Sequence, residues 1–545
     1  MRNRRNSINW ALKHTAVLLV VVGAVAGQNA IPHLRKQGTA TQLIVGGKPF
    51  LIRGGELGNS SASSIEYMKP VWEKLVKLNV NTALIPIYWE LIEPEEGKFD
   101  FSLVDGLIQE ARRNNLKLVP LWFGVWKNSM SSYVPAWVKK DRNRFPATQG
   151  KDGRGIDILS AFSEGVLNAD IKAFRALMRH IREVDSTQNT IIMVQVENEI
   201  GMIPDSRDRS EVANRLYVGQ VPSELMAYLQ KNRESLMPEM RAVWAANGSK
   251  SQGTWEEIFG KGIGTEEIFT AWHFALFTEQ LTKAGKAEYP LPMFVNAALV
   301  RPGHMPGQYP SGGPLPHLFD VWRAASPSID FLSPDIYFQN FAEWTRKYGR
   351  AGNPFFIPEA GTFPMVPVNI LYAVGQHNAI GVSPFAIESV QDPLAGQLAS
   401  AYDLIRQLEP TILANQGKNN VMAGLLSEGP EQRQAQRLSM NGYALYVNFD
   451  RAANASDPQP LSGGLVIAVG PDEFLIAGTA LTVVFEPDSP GPSIVGLLSV
   501  DEGKFIEGKW KPGRRLNGDQ THQGRHLRIS AGRFEIQHVK LYRYD

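Results

Sequence analysis

Thr190 to Gly201 reads Thr-Ile-Ile-Met-Val-Gln-Val-Glu-Asn-Glu-Ile-Gly, a β-branched, apolar run that ends in two carboxylates flanking an amide. A short run rich in Ile and Val is typical of a strand buried on both faces. Alternation along it predicts Glu197 and Glu199 on one side and Asn198 on the other, with Glu199 and Asn198 reaching a cleft at the strand end. Burial there raises the pKa of a carboxyl toward the range of a general acid.

A second carboxylate ends a similar run. Pro354 to Gly361 reads Pro-Phe-Phe-Ile-Pro-Glu-Ala-Gly, and Glu359 lies 160 residues beyond Glu199 (359 − 199). One unit of an ordinary eightfold βα barrel takes about 30 to 50 residues, so this separation suits three units, as from a fourth strand to a seventh. Each acid alone could simply be the polar end of a strand. Together they predict a catalytic pair at a barrel mouth.

Eight apolar runs predict an α/β fold, a (β/α)8 TIM barrel. They are residues 50–55, 81–90, 116–124, 190–201, 292–297, 331–338, 354–359 and 379–386. Five runs carry a proline near the carboxyl end, where a missing ladder donor predicts that the strands splay at the barrel mouth. These prolines are Pro86, Pro120, Pro334, Pro358 and Pro384. The long segment 202–290 exceeds one βα connection and predicts a cap or one wall of the cleft.

Polar and aromatic side chains follow these runs, at the end where active sites of such barrels lie. Aromatic rings beside acids and amides suit stacking against sugar rings. For Glu56 and Glu90 the alternative is a surface or supporting acid, and for Tyr337 it is plain core packing. The residues predicted to surround the opening are Glu56, Trp89, Glu90, Trp126, Lys127, Asn128, Asn198, Glu199, Tyr337 and Glu359.

Three segments are predicted along the chain: residues 1–27 as a signal peptide, 42–411 as the catalytic barrel, and 412–545 as a smaller antiparallel domain resembling a β-sandwich. The first has basic residues before an apolar run over 15–26, too short to span a bilayer. A periplasmic or secreted protein with no membrane span after processing is expected, and an uncleaved anchor is the alternative. The last segment shows short strands between turn residues; packing on the barrel and glycan binding are both open roles.

Composition excludes several other chemistries. The 545 residues include no cysteine, so thiolate metal sites and Cys nucleophiles are impossible. A net charge of +2 and the lack of a basic patch argue against a nucleic-acid partner. No phosphate-binding Gly-rich loop or Gly-x-Ser-x-Gly elbow occurs, and His522 and His526 lie in a loop-like region. No metal or other cofactor is predicted; the expected partner is an oligosaccharide or polysaccharide, and the sequence does not predict an oligomeric state.

Three motifs resemble glycoside hydrolase family 35, β-galactosidases with a (β/α)8 barrel. Gln195-Val-Glu-Asn-Glu-Ile-Gly resembles the acid/base motif that ends the fourth strand. Trp89-Glu-Leu-Ile-Glu-Pro-Glu-Glu-Gly-Lys-Phe-Asp-Phe is similar to the second-strand segment, and Pro135-Ala-Trp-Val to the one after strand three. The resemblance covers roughly residues 42 to 400. The tail resembles, more weakly, the β domain of a bacterial subgroup that includes xyloglucan-trimming β-galactosidases.

The resemblance implies Glu199 as acid/base, Asn198 as the partner of the sugar 2-hydroxyl and Glu359 as nucleophile. The family's Cys-Ala-Glu-Trp after strand three is absent, and Trp122-Phe-Gly-Val-Trp-Lys-Asn stands there instead. Hydroxyl contacts are therefore assigned to Trp126, Lys127 and Asn128.

The predicted function is that of a retaining exo-β-galactosidase acting on terminal β-D-galactosyl residues, by double displacement with two glutamates. Galactosylated plant oligosaccharides such as xyloglucan fragments are the natural substrates to test. An endo-acting β-glycanase with a related barrel is one alternative, and a catalytically inactive glycan-binding protein is another.

Overall fold

The computed structural model describes residues 30–350, 352–427, 435–452 and 459–545. The predicted signal peptide lies outside the described residues. Within these four ranges, no helix is both long and apolar enough to cross a membrane.

The first thirteen strands form an N-terminal sheet, a closed barrel and a small hairpin. In chain order they are β1 His33–Gln37, β2 Ala40–Val45, β3 Lys48–Phe50, β4 Ile52–Glu56, β5 Thr82–Tyr88, β6 Lys117–Phe123, β7 Ala147–Gln149, β8 Gly155–Leu159, β9 Val194–Gln195, β10 Met293–Ala298, β11 Phe331–Ile336, β12 Phe356–Ala360 and β13 Gly381–Pro384. β1, β2 and β3 pair antiparallel before the chain enters the barrel.

Helices alternate with the barrel strands. In chain order they are α1 Ile65–Lys77, α2 Trp89–Ile92, α3 Ser102–Arg113, α4 Ala136–Lys140, α5 Glu164–Asp185, α6 Glu211–Tyr217, α7 Ser223–Lys231, α8 Pro238–Ala246, α9 Trp255–Phe259, α10 Ile263–Glu288, α11 Phe319–Ala325, α12 Phe341–Tyr348, α13 Val366–His377 and α14 Leu394–Asn415. α1 and α5 begin at serines that accept a hydrogen bond from the first turn. Their apolar stripes face the barrel because those residues recur at helical spacing.

Eight strands close into one parallel barrel in the order β4, β5, β6, β9, β10, β11, β12 and β13, with β13 pairing back to β4. Chain order and spatial order coincide, as in a (β/α)8 barrel. The predicted fold class is confirmed. The catalytic side chains of such a barrel lie at the carboxyl ends of its strands.

The fourth barrel strand is much shorter than predicted. β9 spans only Val194–Gln195, and Glu197 and Glu199 both have positive φ angles, 60° and 46°. A left-handed backbone breaks the two-residue alternation of a strand. The expectation that both glutamates point to one side was therefore wrong.

The proline prediction was wrong in part. Pro358 coincides with a register irregularity between β12 and β13, and Pro384 ends its strand. Pro86 and Pro120 instead lie within β5 and β6, which keep their register through both prolines, and Pro334 likewise pairs within β11. Each proline removes one backbone donor without displacing the paired Cα positions, so the strands do not splay there.

Two antiparallel sheets form the C-terminal domain. Its strands are β14 Met422–Leu426, β15 Gln436–Met440, β16 Tyr443–Phe449, β17 Gly463–Gly470, β18 Glu473–Thr479, β19 Leu481–Pro487, β20 Ile494–Ile506, β21 Lys509–Leu516, β22 Leu527–Ile529 and β23 Glu535–Tyr544. Six of them form one sheet and four the other. The antiparallel β domain is thus confirmed.

Helix α13 joins the two domains. A Cβ at Gly375 would lie 2.8 Å from the carbonyl oxygen of Ala423, so this glycine lets the helix approach β14 closely. Leu465, Ile467 and Ile536 of the β domain belong to the same apolar cluster as the barrel core. The β domain therefore packs on the barrel, which was one of its two predicted roles.

Candidate active site

Glu199 follows the short strand β9 and is held by its own backbone. Its N–H donates to Oδ1 of Asn296 at 2.9 Å, and its carbonyl oxygen accepts from the N–H of Ser129 at 3.1 Å. Asn296 lies within the neighbouring strand β10 and Ser129 in the loop that follows β6, and together they fix the left-handed turn. Glu199 is only 7% exposed and lines the cavity described below.

Glu197 points away from that cavity. Its carboxyl accepts backbone N–H groups of Val125 at 3.2 Å and Trp126 at 2.7 Å. Burial and then the neighbouring Asp170 raise the pKa of Glu197 well above its usual range. Burial likewise raises the pKa of Asp170 to about 6. This acid pair anchors the turn that follows β6 and presents Lys127.

A cavity of about 450 Å³ opens at the carboxyl ends of the barrel strands. That size suits a small ligand such as one or two sugar rings. Five of the ten predicted site residues line it. The full lining is Asn59, Lys127, Asn128, Glu199, Ile203, Ala298, Leu299, Arg301, Pro310, Asp335, Tyr337, Phe338, Glu359 and Phe385. Ile203 comes from the long segment after β9, which therefore does contribute to the wall.

Glu359 faces Glu199 across the cavity. Glu199, Asp335 and Glu359 each present one carboxyl oxygen, and these oxygens lie within 4.8 Å of one another. Oε1 of Glu359 accepts a hydrogen bond from the hydroxyl of Tyr337, and its Oε2 is buried with no hydrogen-bond partner among the described residues. The two acids that are far apart in sequence thus meet at one sugar-sized hollow.

The environment prepares Glu199 to hold a proton. Burial and then the negative charge of Glu359 raise the pKa of Glu199 to about 7, although Lys127 opposes the shift. A carboxyl with a pKa near neutrality can give up and recover a proton during one reaction cycle. Glu199 therefore has the property that an acid catalyst requires.

Lys127 lies between two amides. Nζ of Lys127 donates to Oδ1 of Asn198 at 2.8 Å and also to Oδ1 of Asn128. The ammonium lies 5.1 Å from the ring centre of Phe123. Asn128 lines the cavity, whereas the predicted contact Asn198 is fully buried and is not part of the lining. Among the described residues, Nδ2 of Asn198 has no hydrogen-bond partner.

Glu56 lies beside this group without lining the cavity. It ends β4 and is 1% exposed. Burial, followed by the charge of Glu359, raises the pKa of Glu56 well above its usual range. Its placement is that of a supporting acid next to the carboxyl pair, the alternative left open by the sequence.

Three predicted contacts are not at the cavity. Trp89 is fully buried and donates to Oε2 of Glu93 at 3.0 Å. Trp126 is also fully buried and packs against aromatic rings of α10. Glu90 pairs with Lys139 at 3.2 Å on the surface. Trp89 and Glu90 do not line the cavity because helix α2 begins directly after β5 and turns both side chains away from the opening.

Two site residues were missed in the sequence. Asp335 lines the cavity from β11, and Asn296 holds Glu199 from β10. Both are single polar residues inside otherwise apolar strands, within Phe331-Leu-Ser-Pro-Asp-Ile and Met293-Phe-Val-Asn-Ala. Burying a polar side chain in a strand costs folding free energy unless the group is hydrogen-bonded. A single polar residue in an apolar strand therefore indicates a paired or functional group, and this pattern could have identified both residues.

A (β/α)8 barrel with a buried carboxyl pair across a sugar-sized cavity defines the class of glycoside hydrolases. Residues 64–260 match the family model of glycoside hydrolase family 42, described as Beta-galactosidase. Residues 398–528 match a domain of unknown function, DUF5597. The enzyme prediction is confirmed at the level of this class. The match is to family 42, so the resemblance to family 35 is not supported at the level of the family.

One curated relative is a protein from Xanthomonas manihotis called Beta-galactosidase, 28% identical over 210 residues. The alignment covers 37% of this chain and 32% of that protein, so the chain spans about a third of its relative.

Two solved structures are also similar. A β-galactosidase from Bacillus circulans sp. alkalophilus has a TM-score of 0.46 and 15% identity, over 67% of this chain and 57% of that one. A catalytic mutant of a family 42 β-galactosidase from G. stearothermophilus has a TM-score of 0.47 and 11% identity, over 90% and 98% of the two chains.

Proposed function

We propose that this protein is a retaining exo-β-galactosidase that uses Glu359 as nucleophile and Glu199 as acid/base. The carrying observation is the approach of their carboxyl oxygens within 4.8 Å at one cavity. Retaining enzymes hold the two carboxyl groups about 5 to 5.5 Å apart, whereas inverting enzymes need about 6.5 to 9.5 Å to admit a water. The short separation supports retention.

The first step forms a covalent intermediate. The Glu359 carboxylate attacks the anomeric carbon, the bond to the leaving oxygen breaks, and Glu199 gives its proton to that oxygen. The hydroxyl of Tyr337 donates to Oε1 of Glu359 and so orients the carboxylate for this attack. We assign no metal ion to these carboxyls, since both must keep an oxygen free for the reaction.

The second step releases the sugar. Glu199, now ionised, takes a proton from a water molecule that attacks the anomeric carbon, and the Glu359 carboxylate leaves. Asn198 is the proposed partner of the sugar 2-hydroxyl; its Nδ2 has no partner among the described residues, and its Oδ1 accepts from Lys127, which lines the cavity. A compact cavity of about 450 Å³ supports removal of a single terminal residue.

The substrate assignment rests on the match of residues 64–260 to a model described as Beta-galactosidase. Galactosylated plant oligosaccharides, including xyloglucan fragments, are the proposed natural substrates. Export to the periplasm or medium is part of the proposal, on the basis of residues 1–27.

A panel of aryl β-glycosides followed by proton NMR of the first product tests the proposal. We expect turnover of the β-galactoside, with the β-anomer of galactose appearing before mutarotation. The α-anomer appearing first would indicate inversion, and cleavage of internal linkages would indicate an endo-acting glycanase. Binding of glycans with no turnover of any aryl glycoside would indicate a binding protein.

A further inference from the structure

Asn296 connects the backbone of Glu199 to the side chain of Asp335. Its Oδ1 accepts the N–H of Glu199 at 2.9 Å, and its Nδ2 donates to Oδ2 of Asp335 at 2.6 Å. The amide cannot be flipped, because a backbone N–H only donates and must face the amide oxygen. Oδ2 of Asp335 is therefore an acceptor.

The other oxygen of Asp335 has no donor. Oδ1 is buried without a hydrogen-bond partner among the described residues, and Asp335 is 2% exposed. An unsatisfied buried carboxyl oxygen is costly unless it carries a proton that it can donate. Since Oδ2 already accepts from Asn296, a proton on Asp335 would sit on Oδ1. The side chains of Asp335 and Glu199 are in hydrogen-bond contact.

Charge around Asp335 favours a bound proton. Three carboxyl oxygens within 4.8 Å of one another cannot all be ionised at little cost. Burial and then the charges of Glu359, Glu199 and Glu56 raise the pKa of Asp335 well above its usual range. The titratable and charged groups around it are Glu56, Glu199, Tyr337, Tyr348 and Glu359, with Lys127 and Arg301 farther along the cavity wall.

We propose that Asp335 holds a proton on Oδ1 and donates it as a hydrogen bond to Glu199, as a positioning residue for the acid/base. The inference rests on the proposed function of Glu199. When Glu199 gives its proton to the leaving oxygen, this hydrogen bond changes from a neutral one to one that ends on a carboxylate. Hydrogen bonds to an ionised group are roughly twice as strong. Asp335 thus stabilises Glu199 most when the charge develops, which is the condition for catalysis.

The pH profiles of Asp335→Ala and Asp335→Asn test this role. Removing the donor destabilises ionised Glu199, so in Asp335→Ala the alkaline limb of kcat/KM moves to higher pH and kcat falls about tenfold or more. In Asp335→Asn the new amide accepts from Asn296 and donates to Glu199, so the limb returns toward its wild-type position and part of the kcat lost in Asp335→Ala is recovered. If the alkaline limb moves to lower pH in both variants, Asp335 is ionised in the wild type. If the pH profile and kcat of Asp335→Ala are unchanged, Asp335 has only a structural role. Either result overturns the proposal.

A second measurement does not depend on turnover or on the alanine variant. Infrared spectra of full-length protein carrying ¹³C-carboxyl aspartate are compared between wild type and Asp335→Asn at pH 7. We expect the wild type to show a protonated aspartate band that is absent from Asp335→Asn. Identical spectra in this region would overturn the protonated state. If the protein hydrolyses no glycoside but shows the band, the proposed function fails while the proton assignment stands.

Discussion

The hydroxyl of Tyr337 donates a hydrogen bond to Oε1 of Glu359 between the ends of two neighbouring strands. Burial and the charge of Glu359 raise the pKa of Tyr337 well above its usual range, so the phenol keeps its proton and remains a donor. The bond fixes the orientation of the carboxylate.

Tyr337→Phe should lower kcat/KM by about 10- to 100-fold, because a hydrogen bond to a charged group is lost. Steady-state kinetics measure the effect. The exposed Tyr67→Phe is the matched control. Equal kcat/KM values for the two variants would show that the bond has no part in the reaction.

The alkaline limb of kcat/KM should have its midpoint near pH 7, the raised pKa of Glu199. Above that pH Glu199 has lost the proton that the leaving oxygen needs, so activity falls as pH rises. Glu199→Gln should abolish this limb and slow substrates with poor leaving groups by about 10²- to 10⁴-fold. A dinitrophenyl galactoside, which needs no protonation, should be far less affected in its first step. Glu90→Gln, outside the cavity, serves as the control.

Glu359→Gly should lose more than about a thousandfold in kcat, because the covalent step is gone. Azide or formate should restore part of the turnover by entering the space left by the side chain. NMR should identify the azide product as the α-galactosyl azide, whereas Glu199→Ala with azide should give the β-anomer. The opposite pairing of anomers would reverse the roles of the two glutamates.

Asp170→Asn should flatten the pH dependence of stability. The pKa of Asp170 is about 6 in the folded protein and near 4 when unfolded, so the folded state binds the extra proton between these values. Stability contributed by that proton is present at low pH and is lost as pH rises through 6. The free energy of unfolding of the variant minus that of the wild type should therefore be on the order of 2 kcal/mol more positive at pH 8 than at pH 4. Urea unfolding at both pH values measures this difference, and the exposed Asp152→Asn is the control. If the unfolding free energies of Asp170→Asn and of the wild type change equally between pH 4 and pH 8, the prediction is wrong.

Export should remove the N-terminal segment. Mass spectrometry of protein from the periplasm or medium should place the mature N-terminus near residues 27–31, after the apolar run. Replacing Leu19 and Val20 with arginine should block export, because the run would no longer be apolar. An exported protein that keeps its first 26 residues would instead favour the uncleaved anchor.

Local pattern was enough to find the barrel and its two catalytic candidates. Buried parallel strands are continuous apolar runs, so their ends could be located from hydrophobicity, and Glu199 and Glu359 stand where two such runs stop. The order of the runs fixes the barrel topology, since consecutive strands of this fold are neighbours. The same information could not tell that Trp89 turns into helix α2.

Sequence alone determined that this chain builds a (β/α)8 barrel with an antiparallel β domain and places acids at strand ends. Only the tertiary structure decided which acids share the cavity. Glu197 and Glu199 both have a left-handed backbone, which breaks the strand alternation, and the turn at Glu199 is held by Asn296 from the neighbouring strand β10. Asp335 joins the centre for the same reason: side-chain direction at a strand end is set by long-range hydrogen bonds, which leave no local pattern in the chain.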